Sequence, residues 1–386
     1  MKISYKLIGI SVFGLCILFI FAAGCLVQEY GVGRDIMIFK VDAGGTEEWQ
    51  TVIDTGGDDR AETIIQTGDG GYLVGGAVLP WRGDPSHGIF KVDREGSVVW
   101  NATGQGDQIT SVAETTGGTI VAVAMSGSRL LFYDQAGTPQ GDEQGTERAG
   151  VLRSLLGTAD GGFVVTGSAG GDAQVIKRDR NLAEEWQKTF GDDGDDEARD
   201  IVQTSDGGYL VSGITEMPER TDYGLWVLRL NATGDLLWKT TLARTDVHDV
   251  DFMDEAPGGG YTVIYRSPRT EEDGQYVRNL VDTTINSEGN VLKEQVIGAG
   301  RPVLKTPDGG YVSGNVTYQT ISRYLVLQDQ VGVPHIVKLR GDGSEEWDTA
   351  LNTTFELIGD PVSVIQTADG GYALLVNRHD YPEVPE

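Results

Sequence analysis

From residue 62 the chain alternates short apolar runs with clusters of turn residues. Residues 62–67 (ETIIQT) read as a short strand, Asp69-Gly70-Gly71 as a turn, and residues 72–77 (YLVGGA) as a second strand. A loop follows, then residues 89–93 (IFKVD), a turn at Arg94-Glu95-Gly96, and residues 97–102 (SVVWNA). The unit is therefore four short strands joined by turns, with apolar residues concentrated in the strands.

This pattern recurs. TGDGGYLVGG carries Tyr72, TADGGFVVTG Phe163, TSDGGYLVSG Tyr209 and TADGGYALLV Tyr372, with weaker copies at Thr119, Tyr261 and Tyr311. An interleaved motif ends at Trp49, Trp100, Trp186, Trp238 and Trp347, and two further copies lack the tryptophan, near Gly141 and Lys293. Each motif occurs seven times, about once per 50 residues. A repeated four-stranded unit of that length predicts an all-β fold, a seven-bladed β-propeller of antiparallel blades. The first unit opens with the tryptophan half and the last closes with the DGGY half. Half-blades from the two termini then complete the seventh blade and leave no open sheet edge in the ring. The predicted propeller spans residues 35–377, with a tail at 378–386. The last spacing is the longest, and its excess predicts an inserted loop or hairpin within 319–334. The DGG and D-x-x-G turns should share one end of the ring. The longer connections should share the other end, where a ligand is expected.

The DGGY repeats resemble those of secreted propellers of archaea and bacteria. The D/N-x-x-G-x-x-x-W pattern is similar to the tryptophan-docking motif of quinoprotein propellers. That resemblance implies that Trp49, Trp100, Trp186, Trp238 and Trp347 dock between neighbouring blades. Two copies depart from it: the turn before Trp186 lacks the glycine, and Arg340 stands where Asp or Asn is usual before Trp347. Quinoprotein dehydrogenases have eight blades and often a vicinal cysteine pair, so a quinone-dependent redox role is the less favoured reading.

Charge changes the list of partners. The chain carries 58 acidic and 30 basic residues, a formal net charge of −28, which repels nucleic-acid phosphates. Its two cysteines, Cys16 and Cys25, both lie at the N-terminus. There, Lys2 and Lys6 precede an uncharged apolar stretch and a small-residue box before Cys25. Residues 1–24 read as a targeting segment, either a lipoprotein signal with Cys25 as the lipidation site or an uncleaved signal anchor. Residues 25–34 then form a linker. Either reading anchors the body at its N-terminus on the extracellular face of the cytoplasmic membrane. The sequons at Asn101, Asn231, Asn315 and Asn352 are glycosylation candidates.

Candidate chemistry is sparse. A phosphate loop leads from a strand into a helix, whereas each DGG here leads into a strand, so it reads as a hairpin turn. Asp192, Asp193, Asp195 and Asp196 crowd one loop (GDDGDDEARD) and form a candidate Ca²⁺ site, the one cofactor considered. The competing reading has these aspartates bonding backbone N–H groups at the strand entry. The four histidines fall at no metal-ligand spacing, and no residue is assigned a catalytic role. The favoured expectation is a monomeric, surface-anchored module that binds a protein, a glycan or a cation. The alternative is an extracellular carbohydrate-active hydrolase or lyase with acids at the central channel.

Overall fold

The computed structural model describes residues 33–80, 84–106, 108–125, 129–144, 150–191, 194–216, 223–243, 250–256, 258–268, 270–272, 275–298, 300–323, 327–351 and 358–379. The targeting segment, Cys25, Asp107, Asp192, Asp193 and Asn352 lie outside these residues. Seven four-stranded antiparallel sheets make up the ring. Blade 1 comprises Gly57–Gln66, Tyr72–Pro80, Ser86–Val92 and Val98–Gln105, running from the channel outwards. Blades 2 to 6 follow in order, with inner strands beginning at Ile109, Leu152, Asp196, Val250 and Val303. Blade 7 joins Ile358–Gln366 and Tyr372–His379 to Arg34–Val41 and Glu47–Ile53, and so closes the ring with both termini. The long final spacing is a hairpin in blade 6, Tyr311–Arg323 paired with Leu327–Leu339, whose strands outrun the blade.

The middle strands are buried on both faces, as in blade 1, where Leu73, Val74 and Ile89 are fully buried. Adjacent blades share cores. Leu73 and Ile89 of blade 1 pack with Val112 and Ala122 of blade 2. The ring is therefore held by apolar burial between neighbours as well as by the ladders within each blade.

Each of the five motif tryptophans docks onto the next blade. Trp49 lies against Gly96, Trp100 against Gly137, Trp186 against Gly234, Trp238 against Gly289 and Trp347 against Gly45. The indole Nε1–H of Trp49 donates to Arg94 O at 3.0 Å, and that of Trp238 donates to Ser287 O at 2.9 Å. Four of the rings also meet the aromatic residue of the next DGGY, as Trp49 does with Tyr72 at 5.5 Å. Such a pair contributes about 0.5–1.5 kcal/mol beyond its buried area. Where blade 2 has Gly141 in place of the tryptophan, the receiving glycine of blade 3 is replaced by Leu182. Leu182 takes φ of 68° and packs into the shared core. Where blade 5 has Lys293, the receiving Gly343 has nothing within 4 Å of a built Cβ.

The DGG turn is fastened by a buried cation. Lys91 is 7% exposed and reaches Asp69 at 2.7 Å; Lys177, Lys338 and Lys40 reach Asp160, Asp308 and Asp369 in the same way. Arg229 grips both oxygens of Asp206 at 2.6 Å. Each aspartate also accepts from the turn threonine and from the second glycine N–H, as Asp69 does from Thr67 and Gly71. Burial opposes these charges, but the hydrogen bonds outweigh it and bring Asp69, Asp308 and Asp369 down to about 2. Asp206 also falls to about 2, led by the Thr204 hydroxyl. Blades 2 and 5 lack both partners: Gly117 with Phe132, and Gly258 with Thr284.

Candidate ligand site at the turn end of the channel

The inner strands edge the central channel, and six of them carry a bulge at an equivalent point: Glu62, Thr110, Arg153, Arg199, Asp251 and Val362. A bulge re-aims its side chain out of the ladder. Here the re-aimed charges mostly meet the next blade. Arg153 of blade 3 pairs with Glu197 of blade 4, which also holds Arg199 at 3.0 Å. Arg301 of blade 6 pairs with Asp251 of blade 5. Burial raises the pKa of Glu62, against a hydrogen bond from Gln108.

A second belt runs nearer the turns. In four blades the last residue before the turn accepts from the turn of the preceding blade. Glu114 takes the Gly68 N–H at 2.7 Å, Gln203 that of Ala159 at 2.9 Å, Glu255 that of Ser205 at 2.8 Å and Gln66 that of Ala368 at 2.8 Å. The other three blades lack this contact: blade 3 has Gly157 at that position, Gln366 of blade 7 faces a turn with Pro307 in the donor place, and blade 6 has Lys305, which has no acceptor. Lys305 turns instead to Asp282 of blade 5, at 2.6 Å. The Tyr311 hydroxyl donates to the same carboxylate oxygen at 2.6 Å. Burial, together with Asp282, pushes the Tyr311 pKa strongly up, so the phenol stays protonated as donor.

Two cavities open at this end. One, of about 540 Å³, lies among blades 1, 2 and 3, with Val112, Ala113, Glu114 and Leu155 in its wall. The other, of about 430 Å³, lies among blades 5, 6 and 7. Its apolar wall includes Phe252, Val303, Val364 and Ile365, and Asp251, Asp254, Glu255 and Lys305 supply its charge. Both volumes suit a small ligand. The residues described thus place cavities at the turn end, opposite the long connections where a ligand was expected.

The second cavity is where the repeat is most altered. Asp254 stands where the other blades have Ile65, Ala113, Leu156, Val202, Leu304 and Ile365. Asp282 stands where they bury Ile38, Ile89, Leu130, Val175, Val227 and Ile336. Asp282 is 5% exposed, and its Oδ1 has no hydrogen-bond partner. The Asp254 carboxylate reaches the cavity solvent and accepts from the Glu255 N–H at 2.7 Å. The surrounding walls still withdraw enough water to raise its pKa, with the Glu255 charge adding to the effect.

At the opposite end, Asp35, Asp54 and Asp59 bring carboxylate oxygens within 4.8 Å of one another at the seam between blades 7 and 1. Their oxygens could contribute to a cation site, but they already have partners. Arg378 lies 3.1 Å from Asp35, and Thr55 donates its N–H and hydroxyl to Asp59, each at 2.7 Å. Burial raises the Asp59 pKa. In the acidic loop, Asp195 is exposed and its carbonyl accepts from the Glu216 N–H. Asp196 is buried; Trp226 Nε1–H donates to it at 3.0 Å, as does the Thr215 hydroxyl.

Among the sequons, Asn101 and Asn315 are exposed, whereas the Asn231 side chain caps its own turn by accepting from the Thr233 and Asp235 N–H groups. His335 joins Thr317 and Asp348 at 2.8 and 2.7 Å on the outer strands of blade 6, away from both cavities. Sequence reasoning missed Asp254, Asp282 and Lys305. Alignment of the seven units position by position would have found them, because Asp254 and Asp282 are acids in apolar columns and Lys305 is a cation in a column of Gln, Glu and Gly.

No protein-family model matches the chain, and no curated protein matches it in sequence. Solved structures do match. A protein from Lactobacillus plantarum is 12% identical, with a TM-score of 0.52 over 83% of this chain and 95% of that one. Streptogramin B lyase is 11% identical, with a TM-score of 0.50 over 89% and 98%. At such identities the likeness carries the fold alone: this chain is a seven-bladed β-propeller.

Proposed function

We propose that the chain is a binding module displayed outside the cytoplasmic membrane, tethered through its N-terminal segment, with its ligand held in the cavity among blades 5, 6 and 7. The observation that carries this reading is the concentration of column-breaking charges, Asp254, Asp282 and Lys305, around one small-ligand cavity. A charge at a core position, as at Asp282, costs stability unless it is matched, and its presence in one blade beside Asp254 and Lys305 favours a role other than folding. The signal-like residues 1–24 and Cys25 support the tether, and the charge of −28 supports a partner other than nucleic acid.

Binding is favoured over glycoside cleavage. That chemistry needs two carboxylates free to work across a substrate bond. In this cavity Asp251 is held by Arg301, and Glu255 is held by the Ser205 N–H and hydroxyl, which leaves Asp254 as the uncommitted acid. The test is a glycan-array and pull-down screen of the full chain, with and without Ca²⁺, run beside Gln366→Trp, which places a bulky ring on the cavity wall. Capture without turnover that is lost in Gln366→Trp is expected. Turnover of a captured glycan, or capture indifferent to Gln366→Trp, would overturn the reading.

A further inference from the structure

The cavity among blades 5, 6 and 7 has a charge balance that selects its ligand. Lys305 contributes no net attraction for anions, because Asp282 already faces it at 2.6 Å. Asp251 is likewise matched by Arg301. Asp254 and Glu255 remain, and among the described residues neither forms an ion pair. The cavity therefore presents uncompensated negative charge beside an apolar wall that includes the Phe252 ring.

We propose that this cavity binds a small organic cation: an ammonium or amidinium group seated against Asp254, carried on an apolar frame that packs on Phe252, Val364 and Ile365. The proposal rests on the cavity being the ligand site and adds the chemical class. A buried or half-buried carboxylate gains most from a partner that brings both opposite charge and N–H donors. An aromatic wall adds a cation–π attraction. A bare divalent ion fits less well, since Ca²⁺ takes six to eight oxygen ligands and this wall is largely apolar. Lys305 is paired with Asp282, whose same oxygen also accepts from the Tyr311 hydroxyl, so its charge is matched there and not at Asp254.

The test titrates the full-length protein with benzylamine, its neutral counterpart benzyl alcohol, and Ca²⁺, each by calorimetry. Saturable benzylamine binding is expected, with benzyl alcohol at least tenfold weaker. Asp254→Asn, which keeps size and shape, should weaken benzylamine at least tenfold, whereas Asp342→Asn on an outer turn should not. Benzyl alcohol or Ca²⁺ binding as tightly as benzylamine would overturn the ligand class, and this comparison needs no variant. So would benzylamine binding that Asp254→Asn leaves unchanged, or no saturable binding of benzylamine at all. If Gln366→Trp still abolishes capture of whatever the screen finds, the cavity stands as the site and only the cation is wrong. If Gln366→Trp changes nothing, the site itself is wrong.

Discussion

Gly45 of blade 7 lies under the Trp347 ring of blade 6, so close that a Cβ built on it would sit 2.7 Å from Trp347 Cε3. This contact is where the last blade to be completed receives its neighbour. Gly343 has the same backbone, φ of 84° against 85°, but nothing within 4 Å of its Cβ position. The pair separates two reasons for glycine. Both Gly45→Ala and Gly343→Ala incur the left-handed penalty, about 1 kcal/mol. Gly45→Ala should cost about 1–3 kcal/mol more from forced movement of the ring. Urea midpoints at equal m-value measure the difference; equal losses would show that the docking contact is dispensable.

The Asp69–Lys91 pair gives a second prediction. Asp69→Asn leaves a buried ammonium with only the Thr67 hydroxyl and weaker acceptors nearby, and should cost about 1–2 kcal/mol. Adding Lys91→Met should restore most of that loss, because it removes the buried ammonium that Asp69→Asn leaves without its carboxylate. An additive double-mutant cycle would show that the pair does not act as a unit.

Acid should find the same pairs. Asp69, Asp206, Asp308 and Asp369 have folded pKa values of about 2, below the unfolded value of about 3.9. A depressed folded pKa contributes stability that is present above the unfolded pKa and is lost as pH falls toward the folded one. The denaturant midpoint should therefore fall between about pH 4 and pH 2. The Asp69→Asn/Lys91→Met variant should show a shallower fall. An identical pH profile for that variant would remove these turns as the cause.

The seam between blades 7 and 1 gives a fourth prediction. Asn377 brackets one buried residue: its Oδ1 accepts from the Ala61 N–H at 2.8 Å and its Nδ2 donates to Ala61 O at 3.1 Å. Asn377→Ala leaves both backbone groups of a fully buried residue unmatched and should cost about 1–3 kcal/mol. Amide exchange at Ala61 should quicken with it; unchanged exchange would mean that water takes over the role.

The tryptophan and DGG spacings made the ring legible because a repeat must present the same side chains to the same neighbour seven times. The Lys–Asp fastening was equally available. Lys40, Lys91, Lys177, Lys338 and Arg229 accompany an aspartate, and Phe132 and Thr284 accompany its loss. It is hard to see in sequence because a lysine three residues before a turn reads as solvated when its partner is a strand away. The site was harder still. Asp254 and Lys305 are 51 positions apart, and nothing local to either marks a cavity wall.

The sequence by itself determined the blade count, the four-stranded unit and the closure by both termini, since these follow from local periodicity and from the need to pair every edge. Tertiary structure alone decided which charges are matched. Asp282 reads as one acid among 58, yet across the blade boundary it meets Lys305 and Tyr311, while Asp254 is left facing a cavity. Whether a charge is matched depends on what lies within a few ångströms, and in a ring those neighbours come from the adjoining blade.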